Sequence, residues 1–461
     1  MAARKSIGKL NFVERLQGDK VIWMIVLILI MLSVLAVSSS TPLLVLERMK
    51  STPGITRADI ITEQLLVCGA GLVIILLIYK LGRTGWLEKI SKYCYLACLV
   101  PLIMLTAKIS VPGVVRPIET NDAVRALYVT GLGQLHVFEF VKIGMILYLA
   151  WAVNAYKSKK LPWIDRLSER PRLGFLAKDV WQQFIFIFFP AISIMFLVLP
   201  GSNSSALFIG LIMFATIFLG GVGIKDMIIY GVVAALGLFI CISAYKASGG
   251  QVFNRIGTAV ERIARDSEDP ERQLLDVPYG SREFYNVLDK VRQPISAKVA
   301  VKEGGIFGKG AGNSTQKYVV PVIFGDYMFS FIIEEYGLLG GIVVMILYLS
   351  LLARGAIVAR NCPEQYEKIL VGGLVLLITG QAFLHMLINV DLGPLTGQTL
   401  PLISHGRSAF LAFSIAFGII LCISKSAKSR IAREERNSEP IVAPADDNVK
   451  STLDELDAMD L

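Results

Sequence analysis

Residues 304–341 read GGIFGKGAGNSTQKYVVPVIFGDYMFSFIIEEYGLLGG. The second half opens an apolar run, Tyr327 to Ala353, about the length of a helix that crosses the hydrocarbon core of a bilayer. The first half is a glycine-rich run ending in Gly312-Asn313-Ser314-Thr315-Gln316-Lys317. One acid, Asp326, stands at the mouth of the apolar run. A carboxylate is costly where lipid meets water, so its position points to work on a substrate held at that boundary.

The rest of the chain repeats the apolar pattern. Of 461 residues 54% are hydrophobic and 18% charged, and the mean hydropathy is +0.60. That balance excludes an ordinary soluble domain, and the apolar residues fall in about ten blocks near spanning length. The blocks are 21–38, 62–80, 93–110, 136–154, 183–200, 204–221, 225–245, 326–353, 367–390 and 405–424. The predicted fold class is therefore all-α: a polytopic membrane helical bundle of about ten transmembrane helices with one large extracytoplasmic loop.

Lysine and arginine placement sets the orientation. Arg4, Lys5, Lys9, Arg15 and Lys20 precede the first block, and Lys425, Lys428, Arg430, Arg433 and Arg436 follow the tenth. The loop after the fourth block is also basic. The short loops on the other side are poor in both residues, so both termini are expected in the cytoplasm. Residues 1–20 are then a cytoplasmic segment and 21–245 carry helices one to seven. The large outer loop is 246–322, helices eight to ten occupy 323–424, and 425–461 form a basic, then acidic, disordered tail. The net charge of +9 is mostly a topology signal and gives no case for nucleic acid. No cleavable signal peptide is expected, because block 21–38 reads as a retained first span. Within the outer loop, Val252, Phe253, Ile256, Val260 and Ile263 recur at helical spacing, as do Phe284, Val287, Val291, Ile295 and Val299. They predict two amphipathic helices on the outer membrane surface.

Charges inside apolar blocks are the next clue. Glu139 and Lys142 in QLHVFEFVKIG are neighbours on one helix face. They read either as a structural ion pair or as the lining of a polar, outward-facing cavity. Asp326 reads either as a helix cap or as a catalytic carboxylate. The glycine run, with Lys309 and Lys317, reads as a hinge or as a cradle for an anion; it is not a Walker A loop. The six cysteines lack metal or redox spacing, and His136, His385 and His405 lack metal-ligand spacing.

These stretches resemble the SEDS (shape, elongation, division and sporulation) glycosyltransferases, and the GNSTQK form resembles the FtsW, or cell-division, branch. Glu139 and Lys142 match the Glu and Lys of the family's QPSE-x-x-K motif, whose other places hold His136, Val137 and Phe138. Pro321, Asp326 and Phe329 match LPEAHTDFIF, with Val322, Phe324 and Gly325 departing from it. Glu334, Glu335 and Gly337 match EE-x-G, and Thr399-Leu400-Pro401 with Ser404 match TLPFISYGGSS, where His405 and Arg407 replace Tyr and Gly. Asn203 stands where the family's QPDxG has its acid.

The resemblance implies an enzyme of the bacterial inner membrane that polymerises peptidoglycan from lipid II during septal wall synthesis. Asp326 is then catalytic, and Glu139, Lys142, Arg255, Lys309, Ser314, Gln316, Lys317, Ser404 and Arg407 bind or support the substrate and its pyrophosphate. No organic cofactor is implied; a divalent cation, magnesium or manganese, would serve beside the basic residues. The implied partners are a class B penicillin-binding transpeptidase and other division proteins. A lipid-linked precursor flippase, an elongation-type polymerase and a non-catalytic scaffold are the alternatives.

Overall fold

The computed structural model describes residues 17–50, 54–120, 123–131, 133–160, 178–247, 275–320, 323–393 and 396–438. Helix α1 is Lys20–Ser40, α2 Pro42–Met49, α3 Arg57–Leu81 and α4 Thr84–Thr106. Strands β1 (Val115–Thr120), β2 (Ala123–Val129) and β3 (Gly133–His136) precede α5, Val137–Lys157. Then come α6 (Asp179–Val198), which contains one wide π turn, α7 (Asn203–Leu219) and α8 (Ile224–Ala247). Helix α9 is Arg282–Gly304, α10 Met328–Asn361, α11 Gln365–Asn389 and α12 Arg407–Ser438.

The ends are set by local chemistry. Asp19 caps α1 through the amides of Val21 and Ile22, Thr56 and Asp59 form a reciprocal capping box on α3, and Ser202 caps α7. Such closure matters in a bilayer, where water cannot satisfy an open amide.

Among the described residues nine helices are long and apolar enough to cross a membrane. Every predicted block has its helix. The sixth, α7, is the exception in length: at 17 residues it rises about 26 Å, a little short of the hydrocarbon core. The chain is thus a multi-pass helical bundle. Helices α12, α11 and α5 are its centre, with 83, 72 and 67% of their spanning windows buried, against 12% for α8 at the periphery. Helix α12 packs along α3, α10 along α11, and α5 against α4 and α11.

Two features were not anticipated. The segment before α5 is a three-stranded antiparallel sheet in the order β1-β2-β3, pairing Pro117 with Leu127 and Tyr128 with Gln134. Helix α10 is broken at Gly337, whose φ of 72° is left-handed. Of the two amphipathic helices, the second is α9. It packs against α10, burying Val291, Ala297 and Ala300, where an isolated helix on lipid was expected. The first lies outside the described residues, as do Arg255, Pro321, Val322 and 439–461.

Candidate active site

At the end of the bundle where α5, α7, α10 and α12 begin and α11 ends, a cavity of about 290 Å³ is lined by Asp326, Glu139, Arg125, Gln398, Ser205 and His405, among others. Asp326 lies on the turn just before α10. Three consecutive carbonyls pin that turn: Phe324 accepts from the His405 amide (2.8 Å), Gly325 from Ser404 Oγ (2.8 Å), and Asp326 from Asn389 Nδ2 (3.0 Å). Leu402, in the segment that supplies Ser404 and His405, is held at φ 59°, a conformation that costs a non-glycine residue energy.

The side chain of Asp326 is treated differently from its backbone. Among the described residues nothing hydrogen-bonds its carboxylate. It is not a helix cap, since the free amides at the start of α10 are met by α11: Phe329 N–H donates to His385 Nε2 (3.3 Å) and Ser330 N–H to Asn389 Oδ1 (2.9 Å). The amide of Phe329 makes Nε2 an acceptor, so the proton of His385 sits on Nδ1 and is donated to the Gln398 carbonyl (2.7 Å). Burial raises the Asp326 pKa from the usual carboxylate range to about 6, with Arg125 pulling the other way. Gly397 is held at φ +64°, and a Cβ there would lie 3.6 Å from Asp326 Oδ2, so backbone passes close beside the carboxylate.

Lys142 is buried one turn into α5. Its ammonium donates to Glu139 Oε1 (2.8 Å), Gln381 Oε1 (2.7 Å) and Gln398 Oε1 (2.9 Å). Three acceptors use all three of its donors. Lys142 is thus a fixed charge behind the cavity wall. Glu139 faces the cavity, and its Oε2 is buried without a partner among the described residues.

The glycine-rich run takes another place. Lys309 and Gly310 donate their amides to the carbonyls of Glu334 and Glu335 (both 2.9 Å), and Leu338 donates to Gly305 (2.9 Å). The run fills the break in α10 at Gly337, satisfying backbone groups that a broken helix leaves open. A Cβ on Gly308 would lie 2.3 Å from the Glu335 oxygen, and one on Gly337 2.1 Å from the Ile306 oxygen. Glycine is needed for this contact. The loop does cradle an anion, but the anion is Glu334: its carboxylate accepts from Ser314 Oγ, the Thr315 amide (2.7 Å), Thr315 Oγ1 (3.0 Å) and Lys309 Nζ (2.9 Å). The Gln316 amide reaches it at 3.3 Å, and Lys317 Nζ is spent on the Gly312 carbonyl (2.6 Å). Hence Lys309, Ser314, Gln316 and Lys317 are engaged in the loop, and none lines the Asp326 cavity. Arg407 stands outside the cavity lining and pairs with Glu63 (3.2 Å), which also holds Arg48.

Sequence reasoning missed Arg125, Gln398 and the polar stripe of α11. Gln381, His385 and Asn389 recur every fourth residue in an otherwise apolar helix, a legible signal. Arg125 is the one charged residue of β2, donating Nε–H to the Gly201 carbonyl (2.9 Å), and is the described cation at the cavity, a place for which the resemblance implies Arg255. Among the described residues no group of three His, Cys, Asp or Glu side chains is placed to hold a metal.

The family model described as "Cell cycle protein" (FtsW, RodA, SpoVE) matches residues 19–429. The chain belongs to this family. Stage V sporulation protein E of Bacillus subtilis (strain 168) is 24% identical over 374 residues, 79% of this chain and 87% of the relative. The probable peptidoglycan glycosyltransferase FtsW of the same organism is 29% identical over 304 residues, 66% of this chain and 67% of that one. A chain of a solved peptidoglycan synthase complex superposes with a TM-score of 0.60 at 20% identity, covering 89% of this chain and 98% of its own. The rod shape determining protein RodA of Thermus thermophilus does so with a TM-score of 0.54 at 19% identity, covering 90% and 99%. The fold is therefore that of this SEDS family.

Proposed function

We propose that this chain is a peptidoglycan glycosyltransferase that polymerises lipid II at the outer face of the bacterial inner membrane, in septal wall synthesis. One observation carries the reading: Asp326 combines a pinned backbone with a carboxylate that no described residue hydrogen-bonds, facing a cavity that also holds Glu139 and Arg125. The acceptor sugar's 4-hydroxyl gives its proton to Asp326 and attacks the donor's anomeric carbon. The bond to the lipid pyrophosphate breaks, with inversion, and its electron pair leaves on that pyrophosphate. A carboxylate whose pKa lies near 6 suits this work, being ionised at neutral pH and still basic. Arg125, at the cavity wall, offers positive charge to the leaving group, while Lys142 acts through Glu139 and Gln398 as a positioning residue. A magnesium or manganese ion would add charge neutralisation; Asp326 and the unpartnered oxygen of Glu139 are the ligands this cavity offers, with substrate phosphates completing the shell.

The transporter reading is weaker because the charged groups of this cavity lie at an end of the bundle, whereas transport sites lie near the midplane between broken repeats. The division role rests on the GNSTQK resemblance and on the relatives named FtsW; relatives named for sporulation and rod shape stand beside them. A class B penicillin-binding transpeptidase is the proposed partner. The test is glycan polymer formed from lipid II by the purified full chain, with and without such a transpeptidase. Polymer in either arm supports the reading, and none in both arms contradicts it.

A further inference from the structure

At the opposite end of the bundle, the start of α1 and the last turns of the α10 and α12 spans enclose a cleft of about 380 Å³. Val21, Ile357, Val358 and Ile431 give it an apolar wall, beside the polar Asn361 and Ser424. Its rim is cationic, with Lys20, Arg354 and Lys428 against a single acid, Asp19. That acid is already committed. Its Oδ1 caps α1 through the amides of Val21 (2.9 Å) and Ile22 (3.1 Å), and its Oδ2 accepts from Arg354 Nε (2.9 Å). Among the described residues neither Lys20 nor Lys428 has an acidic partner, and both are exposed. The mouth of the cleft thus carries a surplus of two positive charges over a greasy floor.

We propose that this cleft binds an anionic phospholipid, its headgroup phosphate on Lys20, Lys428 and Arg354 and an acyl chain against Ile357 and Val358. Charge and shape favour this occupant together. A basic pocket between membrane helices attracts an anionic headgroup, and the apolar wall adds a contact that free phosphate cannot make. With both termini in the cytoplasm, as the charge bias requires, the lipid belongs to the inner leaflet. The site is remote from the Asp326 cavity and does not depend on the polymerase reading. Only the choice of leaflet rests on topology, which impermeant labelling of a cysteine at Ser281 tests separately.

The experiment is native mass spectrometry of the detergent-solubilised full chain, titrated with phosphatidylglycerol or acyl-matched phosphatidylcholine. Each lysine near a headgroup is worth about fivefold in affinity, so K20Q/K428Q should weaken phosphatidylglycerol binding by about 25-fold. The charge-conserving K20R/K428R should retain it. Both lysines are exposed and outside the Asp19–Arg354 pair, and equal melting temperatures check that the variants fold. Unchanged phosphatidylglycerol binding in K20Q/K428Q would overturn the proposal. So would equal affinity for the two lipids in the wild-type protein, the result expected if the chain's own acidic segment 439–461 fills the cleft. Full displacement of the lipid by an equimolar concentration of sodium phosphate would overturn it in favour of a free anion.

Discussion

Asp326 and Glu334 lie one after the other on the same segment, both in the buried end of the bundle, and are treated in opposite ways. Glu334 is wrapped by Ser314, Thr315 and Lys309, so its charge is spent inside the fold. Asp326 has its backbone held by three neighbours and its carboxylate held by none of the described residues. The difference separates two reasons for placing an acid at a membrane boundary. A saturated carboxylate joins a loop to a broken helix. The other, on a turn held by three backbone hydrogen bonds, is left open to the cavity.

The strongest way to break this comparison is to remove the saturated acid. Glu334→Ala strands the Thr315 amide, Ser314 and part of the Lys309 charge, and should cost about 3–5 kcal/mol of stability. Protein abundance and melting temperature in detergent check it; a stable, abundant Glu334→Ala protein would show that the glycine loop holds without its anion. Lys142→Ala should lower polymerisation by about tenfold or more while costing stability within that same range, because Glu139, Gln381 and Gln398 lose their common donor. Activity and melting temperature must be read together, and normal polymerisation by a folded variant would reduce the pair to structure.

A pH series sharpens the comparison with a smaller effect. If Asp326 is the base, the rate falls about tenfold per unit once the pH drops below about 6. The sign for stability is the reverse. Its folded-state pKa is raised, so the folded protein binds the extra proton and stability linked to this group falls as pH rises towards 6. Loss of activity on acidification is therefore not unfolding through Asp326. A flat rate between pH 7 and 5 would contradict the base assignment.

Much of the fold was legible because membrane spans announce themselves by length and hydropathy, and each predicted block has its helix. Asp326, Glu139 and Lys142 stood out as charges in apolar sequence. The sheet is hard to read because AVRALYV is a short run, apolar apart from one arginine, that lacks the alternation of a half-buried strand. The glycine run reads from sequence as a hinge or an anion cradle without its anion named, because Glu334 lies beyond a turn and a helix start. Only the fold brings the two together. Arg407 and Arg125 show the same limit, since nothing local says which of the two arginines reaches the cavity.

The central claim is that the carboxylate of Asp326, which no described residue hydrogen-bonds, does chemistry, and Asp326→Asn tests it most directly. Asn keeps the size, and where an Asp merely caps a helix it caps about as well. The backbone bonds from His405, Ser404 and Asn389 do not involve the side chain and should survive. The measurement is glycan polymer formed from lipid II by an Asp326→Asn protein of normal abundance and melting temperature. The expected result is a loss on the order of 100-fold or more in rate. Near-normal polymerisation by that protein would remove Asp326 from catalysis.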